Sequence, residues 1–317
     1  MIRFPPSIPE GRARAMVLSG KKGGPKDGVF TRRLSARCAG EGFSLMRNIM
    51  RQYFSLLASP IKYKTLFLQF VKRDISGRYK GSLIGIAWAF ITPLLTLGVY
   101  TFVFAGIFKM RWPGELASGN GAYALRLFAG LVVFNLFSEV VSRASSLIVE
   151  QPNLVKKVVF PLELLGHISI GVSLFHFLVG SGMLFVCTIF FESFHYSALL
   201  FPLVILPLIP LLLGLTWILS AIGVYFRDLG QALVLLVNLL LFLSPVFYST
   251  STLSPELQFW IGLNPLTQPI ENMRNVLFAG LMPDLMSWFG SLFLGLAVAM
   301  AGAWMFTKTR DGFADVL

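Results

Sequence analysis

Few side chains in this sequence have the type and spacing needed for catalysis or for nucleotide or metal binding. The nearest approach to a phosphate-binding loop, Gly20-Lys21-Lys22, lacks both the glycine five residues upstream and the Ser or Thr after the lysine. No HExxH, CxxC or nucleophile-elbow pattern occurs. His167 and His176 are nine residues apart and do not share a helix face at ligand spacing, so we interpret them as core or interface histidines. The chain shows no evident catalytic centre or energy source of its own.

The overall composition is that of a membrane protein. Of the 317 residues, 55% are hydrophobic and 13% are charged, whereas soluble domains have about 25% charged residues. The net charge of +12 comes from basic residues in the N-terminal tail and beside apolar runs, as membrane topology predicts. We therefore expect membrane lipids, and no nucleic acid, as partners. Cys38 and Cys187 indicate neither a disulfide framework nor a metal site.

The first 45 residues differ from the rest of the chain. They are rich in Gly, Pro, Ser, Lys and Arg and lack apolar periodicity, so we predict a disordered basic tail. No sustained apolar segment follows the basic residues, which argues against a cleaved secretory signal. The tail mildly resembles an organelle transit peptide. Translation from Met46 or Met50 is the alternative.

Residues 46–80 are predicted to form a second region, an amphipathic interface helix leading to a gate. From about Pro60 to Arg73, apolar residues alternate with lysines and arginines, which is typical of a basic helix lying in the headgroup plane. Such a helix anchors the chain to the membrane surface. Anchoring is the simpler interpretation, and docking of a cytoplasmic partner is compatible with it.

Residues 81–317 are predicted to form a domain with six transmembrane helices. The first span, Ser82–Phe108, contains no Asp, Glu, Lys or Arg and exceeds the roughly 20 residues needed to cross a bilayer. The basic block before it predicts a cytoplasmic start. The other predicted spans cover residues 125–148, 164–191, 197–225, 230–248 and 285–307. Both termini are then cytoplasmic, and the fold class is all-α integral membrane.

Between the fifth and sixth spans lies an outer segment, residues 249–283, that is too apolar for an open loop and too rich in Pro and Gly to span. Leu257–Leu263 and Gln268–Phe278 are predicted to be two half-helices that re-enter the outer leaflet. Inside the second span, Glu139 and Arg143 have the favourable i,i+4 order, and we interpret them as a structural pair.

The spans lack the buried acids of an ion-coupled transporter, so a partner that hydrolyses ATP is the simplest energy source. It would act on three inner elements, namely the basic helix, the loop 149–163 and the Arg227-Asp228 turn. Prolines 152 and 161 frame that loop and indicate a rigid, presented helix.

A set of motifs makes the interpretation more specific: KRDISGRYKGSLIGIAWAFITPLLTLGVYTFVF, VKKVVFPLE, GVYFRDL, SPVFYS and NPLTQPIENMRNVLF. In this order and spacing they resemble the membrane permease of type-2 ABC exporters, in the branch that exports capsule, O-antigen and teichoic-acid polysaccharides. The resemblance covers about residues 55–317. It implies a homodimeric permease in the bacterial inner membrane and a lipid-linked polysaccharide substrate. It also implies two separate nucleotide-binding subunits that hold ATP and Mg, with no cofactor in this chain, and leaves open whether a periplasmic adaptor completes the route.

The resemblance and the inner loops together suggest three groups of site residues. Coupling to the ATPase is assigned to Gln151, Pro152, Asn153, Lys156, Lys157, Pro161, Arg227 and Asp228. The gate side of the interface helix is assigned to Arg73, Asp74, Arg78, Tyr79 and Lys80. Sugar rings stack weakly on aromatic faces, so the channel is assigned to Tyr100, Phe104, Phe247, Tyr248 and Trp260. Glu271 and Arg274, in the predicted outer re-entrant segment, are assigned to gate contacts.

Three other functions compete with this prediction. A permease for a drug or small lipid belongs to the same class, but the motifs match the polysaccharide branch more closely. A membrane-embedded enzyme that modifies lipids or glycans would need polar groups clustered at one depth, and His167, Glu139 and Glu192 do not provide such a cluster. A passive channel would purify without a stoichiometric ATPase.

Overall fold

The computed structural model describes residues 56–110, 112–113, 121–156, 160–191 and 195–317. The predicted disordered tail, residues 1–45, lies outside the described residues, as do Lys157 and Glu192. Within the described ranges every regular element is helical, which confirms the predicted all-α class.

Thirteen α-helices follow one another in the described ranges. In chain order they are α1 Ser59–Lys62, α2 Lys64–Tyr79, α3 Trp88–Tyr100, α4 Gly121–Ala144, α5 Pro152–Lys156, α6 Leu164–Phe191, α7 Phe201–Ile205, α8 Leu208–Tyr225, α9 Leu229–Leu243, α10 Pro255–Gly262, α11 Thr267–Arg274, α12 Leu285–Thr309 and α13 Phe313–Val316. Helices α3 and α11 continue into the π-helical segments Thr101–Ile107 and Asn275–Ala279.

Five stretches of the described chain are long and apolar enough to cross a membrane. They are Gly85–Phe104, Ala122–Ala144, Leu164–Phe190, Tyr196–Tyr225 and Leu285–Val316. These stretches overlap the first, second, third, fourth and sixth predicted spans. The fourth is interrupted between Ile205 and Leu208, next to Pro207, as its prolines predict.

The fifth predicted span is shorter in the structure than the sequence suggests. Helix α9 has 15 residues, which is about 22 Å of helix against a hydrocarbon core of about 30 Å. It ends because Pro245 follows Ser244, and a residue before proline favours extended backbone. Ser244 has φ −92° and ψ 148°, in agreement with that preference.

The interface helix is also divided differently from the prediction. The predicted helix from about Pro60 to Arg73 is broken at Tyr63, which leaves the short α1 and a longer α2 that extends to Tyr79.

Helix α2 packs against α6, and Gly171 makes this close approach possible. A Cβ at residue 171 would lie 2.9 Å from Val71 Cγ2 and 3.0 Å from the Phe67 ring.

Helix α4 lies at the centre of the described bundle, and most of its residues are buried. Helix α8 packs against α4, and α8 and α12 cross each other at a glycine contact. A Cβ at Gly302 of α12 would lie 2.9 Å from the Cα of Gly214 on α8 and still closer to that residue's carbonyl oxygen. Helix α3, by contrast, exposes Leu94, Leu95 and Val99. Its large uncovered apolar face needs lipid or protein against it.

Candidate functional site

The end of α2 is tied to the membrane-spanning helices by a cluster of polar side chains. Arg78 of α2 forms an ion pair with Glu139 of α4. His176 of α6 lies 3.0 Å from Glu139 through its Nδ1, and Tyr79 donates to His176 Nε2 at 2.9 Å. A proton on Nδ1 satisfies both contacts, because Nδ1 then donates to the carboxylate and Nε2 accepts from the phenol. We call Arg78, Tyr79, Glu139 and His176 the α2 anchor cluster.

The i,i+4 interpretation of Glu139 and Arg143 is wrong. Within the described residues the ion-pair partners of Glu139 are Arg78, which is 61 residues away in sequence, and His176. An i,i+4 pair gains only a few tenths of a kcal/mol. Glu139 instead faces groups on two other helices, and these satisfy both of its oxygens in a partly buried position.

The remaining residues of the predicted gate side lie at the surface. Arg73 and Asp74 pair with each other at 3.3 Å, and Lys80 is exposed after the helix ends. Arg73 also stacks over Phe70 at 4.1 Å, and the Phe70 ring lies 5.2 Å from that of Phe160. These contacts connect α2 to the loop 149–163. Only Arg78 and Tyr79 of this group therefore reach the membrane-spanning bundle.

The predicted coupling residues occupy two exposed places. Helix α5 presents Pro152, Asn153 and Lys156, while Pro161 is partly buried at the end of the loop. Arg227 and Asp228 are exposed in the turn between α8 and α9. A cavity of 460 Å³ places Gln151 together with Arg73, Asp74, Arg78 and Arg143. The structure thus joins the coupling loop to the gate side of α2.

Arg274 is the most enclosed charged group of the predicted outer gate. Its side chain is 4% exposed and pairs with Glu271 at 3.3 Å. It also donates to three backbone carbonyls, those of Arg126 at 3.1 Å, Val246 at 2.7 Å and Tyr248 at 3.3 Å. The last two belong to the irregular segment after α9. The guanidinium therefore satisfies carbonyls of the non-helical segment that follows α9.

Three of the predicted channel aromatics form one group. The Phe104 ring lies 5.9 Å from Tyr100 and 5.7 Å from Phe247, and Phe247 stacks on Phe242 at 5.7 Å. Tyr248 is next to this group in sequence, and its hydroxyl lies 3.5 Å from the Leu243 carbonyl. Trp260 lies elsewhere, exposed on α10 beside Phe259. The described structure does not bring Trp260 to the other aromatics.

Sequence reasoning missed two residues beside the outer gate. Trp112 lies under the Arg274 guanidinium at 4.5 Å, and Arg126 lies over the Phe278 ring at 4.9 Å. Both line a 510 Å³ cavity with Glu271 and Arg274. The sequence did contain a signal for Arg126, since this charged residue lies inside a predicted span. Charged side chains in a span usually face the bundle interior.

Comparison with known proteins identifies the family. The model of the ABC-2 type transporter family matches residues 65–278, which is most of the chain. This chain belongs to the ABC-2 type transporter family. Membership agrees with the prediction of a transport subunit rather than an enzyme, and it implies an ATPase partner.

Similar proteins match this ABC-2 family member over nearly their own full length. The O-antigen export system permease protein RfbA of Myxococcus xanthus is 27% identical over 263 residues, covering 82% of this chain and 98% of the relative. A protein of the same name from Klebsiella pneumoniae is 23% identical over 255 residues, covering 80% and 95%. The likeness therefore extends over the whole of these permeases.

Proposed function

We propose that this chain is the membrane-spanning subunit of an exporter that moves a lipid-linked polysaccharide across the inner membrane of a bacterium. The observation that carries the proposal is the similarity over 98% of the length of a permease named for O-antigen export. The proposed assembly contains two copies of this chain and two copies of a separate ATPase, which holds ATP and Mg.

In the proposed topology the chain crosses the membrane six times and has both ends in the cytoplasm. Five crossings use the long apolar stretches, and α9 with the irregular residues after it makes the other. Helices α10 and α11 have eight residues each, about 12 Å of helix, which is too short to cross. Their proposed place is the outer leaflet, where Arg274 and the segment after α9 surround the irregular backbone.

The second copy would cover apolar faces that the described chain leaves open. Helix α3 exposes Leu95 and Val99, and α9 exposes Leu235, Leu239 and Phe242. The aromatic group around Phe104 lies where the ends of these two helices meet. In the proposed dimer, a path between the copies would have aromatic faces on which sugar rings stack without needing a charge.

The ATPase is proposed to act on α5 and on the Arg227-Asp228 turn. Motion of α5 would reach α2 through Phe160, Phe70 and Arg73, whose rings and guanidinium are in contact. It would then reach the membrane through the α2 anchor cluster. This contiguous set of contacts supports a mechanical link between ATP hydrolysis and the first spans.

Deleting the gene in its native bacterium tests the function. We expect surface polysaccharide to disappear while lipid-linked material accumulates inside, and we expect the wild-type gene to restore it. Unchanged surface polysaccharide would contradict the proposal.

Cysteine labelling in a background without Cys38 and Cys187 tests the topology. We expect Lys156→Cys to react with an impermeant thiol reagent only from the cytoplasmic side, and Glu256→Cys only from the outer side. The reverse pattern would contradict the proposed orientation.

A further inference from the structure

A cavity of 350 Å³ lies between α3, α4 and α6, and most of its lining surface is apolar. Its walls carry hydroxyl and amide side chains, the rings of Tyr79 and Trp88, and part of the α2 anchor cluster. The polar members are Thr92, Thr96, Asn135, Ser138, Glu139, Ser173 and His176. A few polar groups set among apolar and aromatic walls are the usual arrangement of a small-ligand site, because the polar groups orient the ligand and the apolar walls bury it.

Two of these groups have no hydrogen-bond partner among the described residues. Ser173 is 1% exposed, and its hydroxyl oxygen is buried without a partner. Asn135 is the exposed residue in an otherwise buried stretch of α4, and its amide is not bonded to another described side chain or backbone group. Buried polar groups in proteins are nearly always hydrogen-bonded, so the buried Ser173 hydroxyl indicates that water or a ligand occupies the cavity. The exposed Asn135 amide is available to the same occupant.

The charges around the cavity favour a neutral ligand. Glu139 is the carboxylate in the wall, and Arg78 compensates its charge through their ion pair. His176 is engaged on both ring nitrogens, by Glu139 and Tyr79. The groups left available, an amide and hydroxyls, donate and accept hydrogen bonds without charge.

We propose that this cavity binds a pyranose ring of the lipid-linked glycan. Hydroxyls of the sugar would pair with Asn135 and Ser173, and the flat face of the ring would lie against Trp88 or Tyr79. The volume is within the range of small-ligand pockets. This proposal rests on the proposed function, because the sugar is taken to belong to the exported lipid.

Site-directed labelling of the permease–ATPase complex in nanodiscs tests the proposal. In a background without Cys38 and Cys187, Ser138→Cys places a nearly isosteric thiol in the cavity wall. The thiol should react with a hydrophilic methanethiosulfonate. Leu178→Cys, in an apolar groove on another face of α6, is the control and should react poorly.

The ligand arm uses a mixture of polyprenyl-phosphate-linked glucose, galactose and N-acetylglucosamine, compared with polyprenyl phosphate alone. We expect the sugar-bearing lipids to slow labelling of Ser138→Cys several-fold more than polyprenyl phosphate. Equal slowing by both would show phosphate or lipid recognition and overturn the proposal. Absence of labelling, or labelling that neither lipid changes, would also overturn it.

A second variant separates binding from folding. Ser173→Ala removes a hydroxyl that has no partner, so the fold should tolerate it, and the concentration of sugar lipid that protects the thiol should rise about two- to tenfold. Ser181→Ala is the matched control, since Ser181 is also buried on α6 with an unpartnered hydroxyl but lies outside the cavity wall. An unchanged protection curve for Ser173→Ala would overturn the proposed contact.

The test of the sugar site is separate from the test of the export function. If the protection experiment fails while the gene still restores surface polysaccharide, the sugar site is wrong and the export function stands.

Discussion

Arg274 of α11 donates to the backbone carbonyl of Val246 at 2.7 Å and thereby links α11 to the segment that follows α9. The side chain is almost fully enclosed, and its other bonds reach the carbonyls of Arg126 and Tyr248 and the carboxylate of Glu271. One planar guanidinium thus joins three parts of the chain. Lysine, with a single ammonium group, does not match this geometry.

We therefore expect Arg274→Met to lower the free energy of unfolding by about 3–5 kcal/mol, because it removes the opposite charge beside Glu271 and leaves several carbonyls without their donor. Arg274→Lys should retain the charge and lose less. Denaturant unfolding of the purified protein measures the change.

The matched control is Arg310→Met. Arg310 pairs with Glu163 at the same 3.3 Å distance, but its side chain is 48% exposed, so the loss should be below about 1 kcal/mol. Equal losses for the two arginines would contradict a structural role of the enclosed guanidinium.

The contact between α8 and α12 leads to a second prediction. Gly302→Ala would place a Cβ against the Gly214 backbone, which cannot move aside as a flexible side chain would. We expect it to reduce stability by about 1–3 kcal/mol or to prevent assembly of the two helices.

Gly290→Ala on the same helix is the control. No heavy atom lies within 4 Å of a Cβ at that position, so the change should be neutral or gain up to about 1 kcal/mol from helix propensity. Thermal unfolding of both variants gives the comparison. Similar behaviour of the two would mean that α8 and α12 do not cross at this glycine.

The long apolar helices could be predicted from the sequence because their signal is local. A run without charges, bounded by basic residues, needs no tertiary information, and all five long stretches begin within about three residues of their predicted starts. The short α9 was harder to anticipate. Its apolar run continues to Tyr248, but Pro245 ends the helix at Leu243.

The partners of charged side chains could not be predicted in the same way. Local spacing pairs Glu139 with Arg143, whereas the fold brings Arg78 from 61 residues away. Aromatic residues can likewise be selected from the sequence as channel candidates, but the sequence does not show which of them lie next to each other. Phe104 and Phe247 meet and Trp260 does not, because that outcome depends on how α10 is placed relative to α3.

The ion pair between Arg78 and Glu139 gives a third prediction. Reversing one charge, as in Arg78→Glu or Glu139→Arg, should reduce export strongly, because two like charges then face each other in a partly buried position. The double variant should recover a measurable part of the loss, with a coupling energy of about 0.5–3 kcal/mol in the unfolding of the purified protein.

Arg143→Gln, which keeps the pair between Arg78 and Glu139 intact, serves as the control. Recovery by an Arg143→Glu/Glu139→Arg pair instead would restore the i,i+4 interpretation.

The exposed inner surface gives the last prediction. Lys156 and Asp228 project from α5 and from the turn before α9, and neither makes an ion pair within the described residues, so reversing their charges should leave the fold intact. We expect Lys156→Glu and Asp228→Lys to weaken co-purification of the ATPase and to reduce surface polysaccharide, while the amount of the chain in the membrane stays constant. Glu256→Lys on the proposed outer side is the control, because an ATPase in the cytoplasm cannot reach it. If Glu256→Lys weakens the complex as much as Lys156→Glu does, the effect comes from net charge, and α5 is not the docking element.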